Sequence, residues 1–185
     1  MRQLAATVGL SKSSLFHHFA SKLDLYADVL DRVLERIETG LEAQTASTAQ
    51  PAERLEAWID AVILTLSEDM PAGRLMMRAL VDEEPFPAVM LQAGRDADRD
   101  LKPFELRLAG ILDRFRVLLQ EGIQAGVFRP VSIGDTILSV IGTIVFHFAS
   151  GDLGEALIGD PIFSRRAVDR RRREVSEFIR RGLLA

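Results

Sequence analysis

The feature that most restricts this chain is an unbroken amphipathic stripe near its start. Between Ser21 and Ala43, Leu25, Val29, Leu30, Val33, Ile37 and Leu41 recur at three- and four-residue intervals. That spacing lays them along one side of an α-helix, whereas a strand would scatter them over both faces. Ser21 and Asp24 form a cap-like S-x-x-D pair at its start, and the polar run QTASTAQP follows its end. A helix of this length joins two modules rigidly.

The remainder is helical in period as well, and no segment alternates convincingly as a strand would. Pro51 to about Glu68 carries Leu55, Trp58, Ile59, Val62, Ile63 and Leu66, and Ala72 to about Asp82 is short and Met-rich. The stretch EEPFPAVMLQAGRDADRD is broken by two prolines and a glycine, so an irregular or partly helical connection is expected there. Phe104 to Ala125 places Leu108, Leu112, Phe115, Leu119 and Ile123 near one face, with Gly126 as its stop. Ser132 or Asp135 opens a helix that is apolar on nearly all sides from Ile137 to Phe148, as a helix buried against several neighbours must be. After a break at GDLGEALIGDP, a last helix from about Arg165 combines a basic face with Val168, Val175, Phe178, Ile179 and Leu183. The fold class is all-α.

Composition narrows the function classes. A net charge of -4 excludes a uniformly basic nucleic-acid coat while allowing a local basic surface. With no cysteine there is no disulfide, thiolate nucleophile or Cys-ligated zinc. The start lacks a secretory signal, and the longest apolar run, Thr136 to Ala149, falls short of the roughly 20 residues a membrane span needs. A soluble, cytoplasmic protein that does not enter a membrane is expected. The three histidines form the pair His17–His18 and the distant His147, and adjacent residues diverge too far around a helix to share one metal. No nucleophile is tied to a base, no phosphate loop appears, and no cofactor or metal is expected, so catalysis is disfavoured.

The first 22 residues carry the most specific signal. Leu4, Ala5 and Val8 have helical spacing that Gly9 stops; Ser11 is an N-cap, and Leu15 and Phe19 give the next short helix one buried edge. Two short helices about a Gly turn make a helix-turn-helix. The run Gly9, Leu10, Ser11, Lys12, Ser13, Ser14, Leu15, Phe16, His17, His18, Phe19, then Ser21 and Lys22, resembles the turn and recognition helix of the TetR family of transcriptional regulators. By that resemblance Lys12, Ser13 and His17 read base edges, while Ser14, His18 and Lys22 hold phosphates. Phe16 departs from the family's usual Tyr, keeping the ring's contact with the DNA backbone and dropping a hydrogen bond.

The same resemblance implies a ligand-responsive regulator, a repressor, that binds a palindromic double-stranded operator as a homodimer. Residues 1–43 would form an incomplete helix-turn-helix domain with its connecting helix, and 44–185 a helical effector-binding and dimerisation domain. Trp58, Met76, Met77, Phe86, Met90, Phe104, Phe115 and Phe146, with His147 as a polar contact, are the pocket candidates for a small apolar or amphipathic effector. Ile137, Ile141, Gly142, Ile144, Phe148, Val175, Phe178 and Ile179 are the dimer-interface candidates, part of which is expected to be ordinary core. The resemblance lacks the family's first helix, so Leu4, Val8, Leu15 and Phe19 are expected to be partly uncovered. The alternative is a helical dimer or small-molecule-binding module of the same fold that is deficient in DNA binding.

Overall fold

The computed structural model describes residues 2–44, 50–81 and 102–185, apart from the side chains of residues 2, 12 and 44. Its helices, in chain order, are α1 (Arg2–Thr7), α2 (Lys12–His18), α3 (Lys22–Gln44), α4 (Pro51–Glu68), α5 (Ala72–Val81), α6 (Pro103–Gln124), α7 (Ile133–Ala149), α8 (Asp152–Ile158) and α9 (Arg165–Leu183). Their boundaries follow from local chemistry. Gly9 adopts φ 70° in the turn after α1, a region that a Cβ disfavours. Serine hydroxyls accept from backbone N–H groups at the starts of α2, α3 and α9: Ser11 from Ser14, Ser21 from Asp24, and Ser164 from Ala167, at 3.0, 3.0 and 3.2 Å. Both α4 and α6 begin with proline, and a glutamate folds back onto the preceding amide, Glu53 onto Gln50 and Glu105 onto Lys102.

The core is helix on helix. Leu30 and Leu34 of α3, Leu55, Ile59, Ile63 and Leu66 of α4, Phe115 and Leu119 of α6, and Ile144 and Phe148 of α7 are fully buried and belong to one cluster. Helix α5 lies hard against α7 at Gly73, where a Cβ would stand 2.7 Å from the Cβ of Phe148. The same helix is tied to α3, because the Tyr26 hydroxyl donates to the Leu75 carbonyl at 2.6 Å. On the basic helix α9, Arg172 forks onto Asp60 and Arg180 meets Glu56 at 2.8 Å, which pins it to α4.

Helix α8 corrects the expected break at GDLGEALIGDP. Its pattern is inverted: Leu153 and Leu157 are 58% and 76% exposed, while the inward residue is Gly154, facing Ile162. An apolar-stripe reading therefore finds no buried face. The two sequence stretches expected as links, QTASTAQP and EEPFPAVMLQAGRDADRD, lie largely outside the described residues, as do Phe86 and Met90. Among the described residues, no single helix is long and apolar enough to cross a membrane.

Candidate nucleic-acid interface

Helices α1 and α2 fold back on one another about Gly9, and the Leu10 N–H returns to the Ala5 carbonyl at 2.8 Å. Their contact is small: Ala5 and Leu15 are buried at 2% and 5% exposure, outside the main core cluster. Leu15 thus fixes which way α2 faces. With Leu15 inward and Phe19 half-buried, Ser13, Ser14, Phe16, His17 and His18 are exposed. The phase of a 3.6-residue helix dictates this division, since positions 15 and 19 share an edge that 13, 16 and 17 avoid.

The serines at the start of α2 form a compact polar knot. Ser11 Oγ accepts from the Ser14 N–H and lies 2.8 and 2.9 Å from the hydroxyls of Ser13 and Ser14. His17 and His18 meet edge to face, 5.7 Å between ring centres, and turn away from the core. After the cap at Phe19, Ser21 Oγ donates to Asp24 Oδ2 at 2.9 Å and starts α3, leaving Lys22 exposed beside the end of α2. Lys12 opens α2, and its side chain lies outside those described. Six of the seven nominated DNA contacts are therefore on the exposed surface of one short helix and the first residue of the next.

Of the four residues expected to be uncovered, Leu4 and Val8 are, at 42% and 55% exposure, while Leu15 is covered. Leu4 opens into a groove of about 780 Å³ shared with Leu23, Leu25, Tyr26 and Val29 of α3 and Leu75 and Arg78 of α5. Among the described residues, no group of three or more His, Asp or Glu is placed to hold a metal ion.

Two family models match separate parts of the chain. Residues 1–29 match the model of bacterial regulatory proteins of the tetR family, and residues 91–179 match that of the tetracyclin repressor-like C-terminal domain. The chain belongs to the TetR family of transcriptional regulators. This is a family of regulators and not of enzymes. Among curated proteins, this TetR-family chain is 27% identical over 140 residues to the HTH-type transcriptional activator FasR of Mycolicibacterium smegmatis, covering 76% of this chain and 59% of that protein. The ketosteroid transcriptional regulator KstR2 of Mycobacterium tuberculosis has the same fold, with TM-score 0.69 and 18% identity over 100% of this chain and 84% of that one. The fold is shared too by PfmR of Thermus thermophilus, with TM-score 0.65 and 23% identity over 100% and 88%, and by AibR in complex with isovaleryl coenzyme A and operator DNA, with TM-score 0.66 and 16% identity over 96% and 84%.

The residues nominated for the effector pocket do not all meet. Trp58 and Phe115 stack at 4.2 Å between ring centres and 14° between planes, and they are buried in the core with Met76 and Phe104. Phe146 points away from them: it is 55% exposed on the outer side of α7 and shares a groove of about 720 Å³ with Met77, Gly142, Thr143, Arg171 and Phe178. His147, the next residue, turns inward and packs edge-on against the Phe148 ring at 4.9 Å. Burial, and after it the charges of Arg171 and Arg170, lower its pKa to about 4.

The interface nominations split along the same line. Ile144, Phe148, Val175 and Ile179 are 1%, 1%, 1% and 6% exposed within this chain, so they belong to the part of the list expected to be ordinary core. Ile137 and Ile141 are half-buried, Gly142 is exposed and Phe178 is 71% exposed. Leu138, which the sequence reading did not select, is also 71% exposed. Its signal was present, since it stands four residues from both Gly134 and Gly142 on α7.

Proposed function

We propose that this chain is a DNA-binding transcriptional regulator that reads a palindromic operator as a homodimer, with α2 in the major groove, and responds to a small apolar or amphipathic effector. The observation that carries this reading is the outward face of α2. With Leu15 as its buried anchor, α2 exposes Ser13, Phe16 and His17 on the side away from the core, with Ser14, His18 and Lys22 around them, where a duplex would approach. In the free protein the hydroxyls of Ser13 and Ser14 rest on Ser11, contacts that DNA acceptors can replace. The solved complex of AibR with operator DNA supports this role for the fold.

The effector reading is supported by two polar atoms. Among the described residues, Trp58 Nε1 and His147 Nε2 are buried and have no hydrogen-bond partner, and the sequence makes both residues pocket candidates. Such atoms are uncommon in a settled core and suit a ligand that supplies the missing partner. Isovaleryl coenzyme A bound to AibR is an amphipathic molecule of the proposed kind. Occupancy is read as repression; the activator FasR marks the opposite sign, which a promoter-reporter assay distinguishes.

Selection from a random pool of duplexes, followed by footprinting, tests the central claim. The expected result is two inverted half-sites about one DNA turn apart, roughly 34 Å, with affinity that falls steeply as salt rises. Failure to enrich any sequence would favour the second reading, a DNA-binding-deficient helical dimer or ligand-binding module. The uncovered Leu4 and Val8 favour that alternative, since they leave the two short helices a small core of their own.

A further inference from the structure

Helices α3 and α6 are joined by a ladder of charges that the sequence motifs do not announce. Lys102 Nζ lies 3.6 Å from Asp24; Arg107 Nε donates to Asp31 at 2.9 Å and its Nη1 reaches Glu38; Arg114 spans Glu38 at 2.9 Å and Glu42 at 3.6 Å. Partners rise in number together along both helices, so the two run parallel. Asp24, Asp31 and Glu38 are seven residues apart, as are Arg107 and Arg114. The ladder is therefore repeated two helical turns at a time.

Arg107 is its centre. Its side chain and those of Asp31 and Glu38 are 23%, 25% and 21% exposed, whereas the ordinary surface pair Arg32–Asp28 is 73% and 44% exposed. Solvent screens the latter and contributes much less screening at the former. A guanidinium forked between two carboxylates on one helix also resists sliding, because a shift of one turn, about 5.4 Å, breaks both contacts at once.

The apolar side of α3 supplies no equivalent constraint. Leu30, Val33, Leu34, Ile37 and Leu41 fix which face is inward, but ridges and grooves on packed helices recur with every turn. Apolar contact is non-directional, and the best-attested use of a part-buried ion pair is to select one register among several. Position along α3 matters at its other end. Only Phe19, Ala20 and Ser21 separate α2 from α3, and Asp24, which caps α3 through Ser21, is also the carboxylate that Lys102 approaches.

We propose that Arg107 is a positioning residue for DNA reading: its fork on Asp31 and Glu38 sets the register of α3 against α6 and thereby the aim of α2. This rests on the reading of α2 as the recognition helix. Arg107→Met keeps the aliphatic stem and removes the fork, while Arg107→Lys keeps the charge and loses one prong. The absence of native cysteine allows spin labels to be placed cleanly at Ala20→Cys and Leu106→Cys, both exposed positions.

The expected result for Arg107→Met is a label-to-label distance distribution broadened or displaced by several ångströms, an operator affinity reduced at least tenfold, and an unfolding midpoint little changed. Arg107→Lys should recover part of both the distance and the affinity. Ile111→Val trims the buried face of the same helix and is the control for simple loss of stability. An unchanged distance distribution in Arg107→Met overturns the proposal. So does an affinity loss matched by Ile111→Val at equal loss of midpoint. The distance measurement needs no DNA, so an unaltered chain that selects no operator defeats the function proposed above and leaves the register lock to be judged on the distances.

Discussion

Phe16 stands 41% exposed on the face of α2 proposed to meet DNA, and it carries no hydroxyl where the family's usual tyrosine does. Restoring one hydrogen bond to a phosphate is worth about 1 kcal/mol, so Phe16→Tyr should tighten binding about fivefold on every duplex tested. Titrations against the operator and a scrambled duplex check this; a gain confined to one base position would remove Phe16 from the backbone-contacting set. His147 gives a second residue-scale prediction, on stability. Its pKa is about 4 in the folded chain against an ordinary 6.5, chiefly because burial disfavours the charged ring. Between those values the unfolded chain binds the proton and the folded chain does not, so acid favours unfolding. The effect is absent above about pH 6.5 and grows as pH falls toward 4, reaching roughly 3 kcal/mol. Denaturant midpoints at pH 7 and pH 4.5 should therefore converge less in the native chain than in His147→Gln. Identical acid losses in the two proteins would show that His147 does not carry it.

At the scale of helices, legibility followed the stripe. The elements most of whose apolar residues face inward, α3, α4, α6, α7 and α9, could be read to within a few residues, as could the serine caps of α3 and α7 at Ser21 and Ser132; the caps of α4, α6 and α9 could not. Helix α8 could not, because its leucines face out and its inward residue is a glycine. The site divides in the same way. Leu15 sets the phase of α2 by local spacing alone, so its outward residues were legible; Phe146 and His147 are neighbours in sequence that the packing of α7 sends in opposite directions. The charge ladder was hidden for a third reason, since Asp31 and Arg107 are far apart in the chain and only the packed helices bring them together. Gly73 shows how close such packing is. A methyl group there would press on the Cβ and the backbone carbonyl carbon of Phe148, at 2.7 and 2.9 Å, and the backbone cannot swing aside as a flexible side chain can. Gly73→Ala should therefore cost about 1–3 kcal/mol despite alanine's better helix propensity, by forcing α5 away from α7. Chemical unfolding measures this directly, and a stabilised variant would contradict the close contact.

For the molecule as a whole, the exposed side of α7 and α9 carries, among the described residues, large apolar side chains that a second copy of the chain would cover. Gly134, Leu138, Gly142 and Phe146 follow one another at four-residue intervals on α7, and Leu138, Phe146 and Phe178 of α9 are 71%, 55% and 71% exposed. A Cβ added at Gly134, Gly142 or Gly182 would meet nothing within 4 Å, so large residues and open sockets alternate on one face. A two-fold axis through such a face brings each knob toward a socket of the other copy, the self-complementarity that a closed dimer requires. Burying three large apolar side chains per copy is worth roughly 1.5–3 kcal/mol each before the cost of association. The double variant Leu138→Glu with Phe178→Glu should then sediment as a monomer while retaining its helical content, because both side chains lie outside the core of the single chain. Operator affinity should fall at least a hundredfold, since one recognition helix must then bind without the second half-site one turn away. Ile144→Ala is the contrasting control: Ile144 is 1% exposed, so the change should lower the unfolding midpoint and leave the dimer intact at temperatures where the chain is folded. Sedimentation of all three proteins at micromolar concentration decides the matter. A native chain that is already monomeric there, or a double-glutamate variant that stays dimeric, would place the association surface elsewhere.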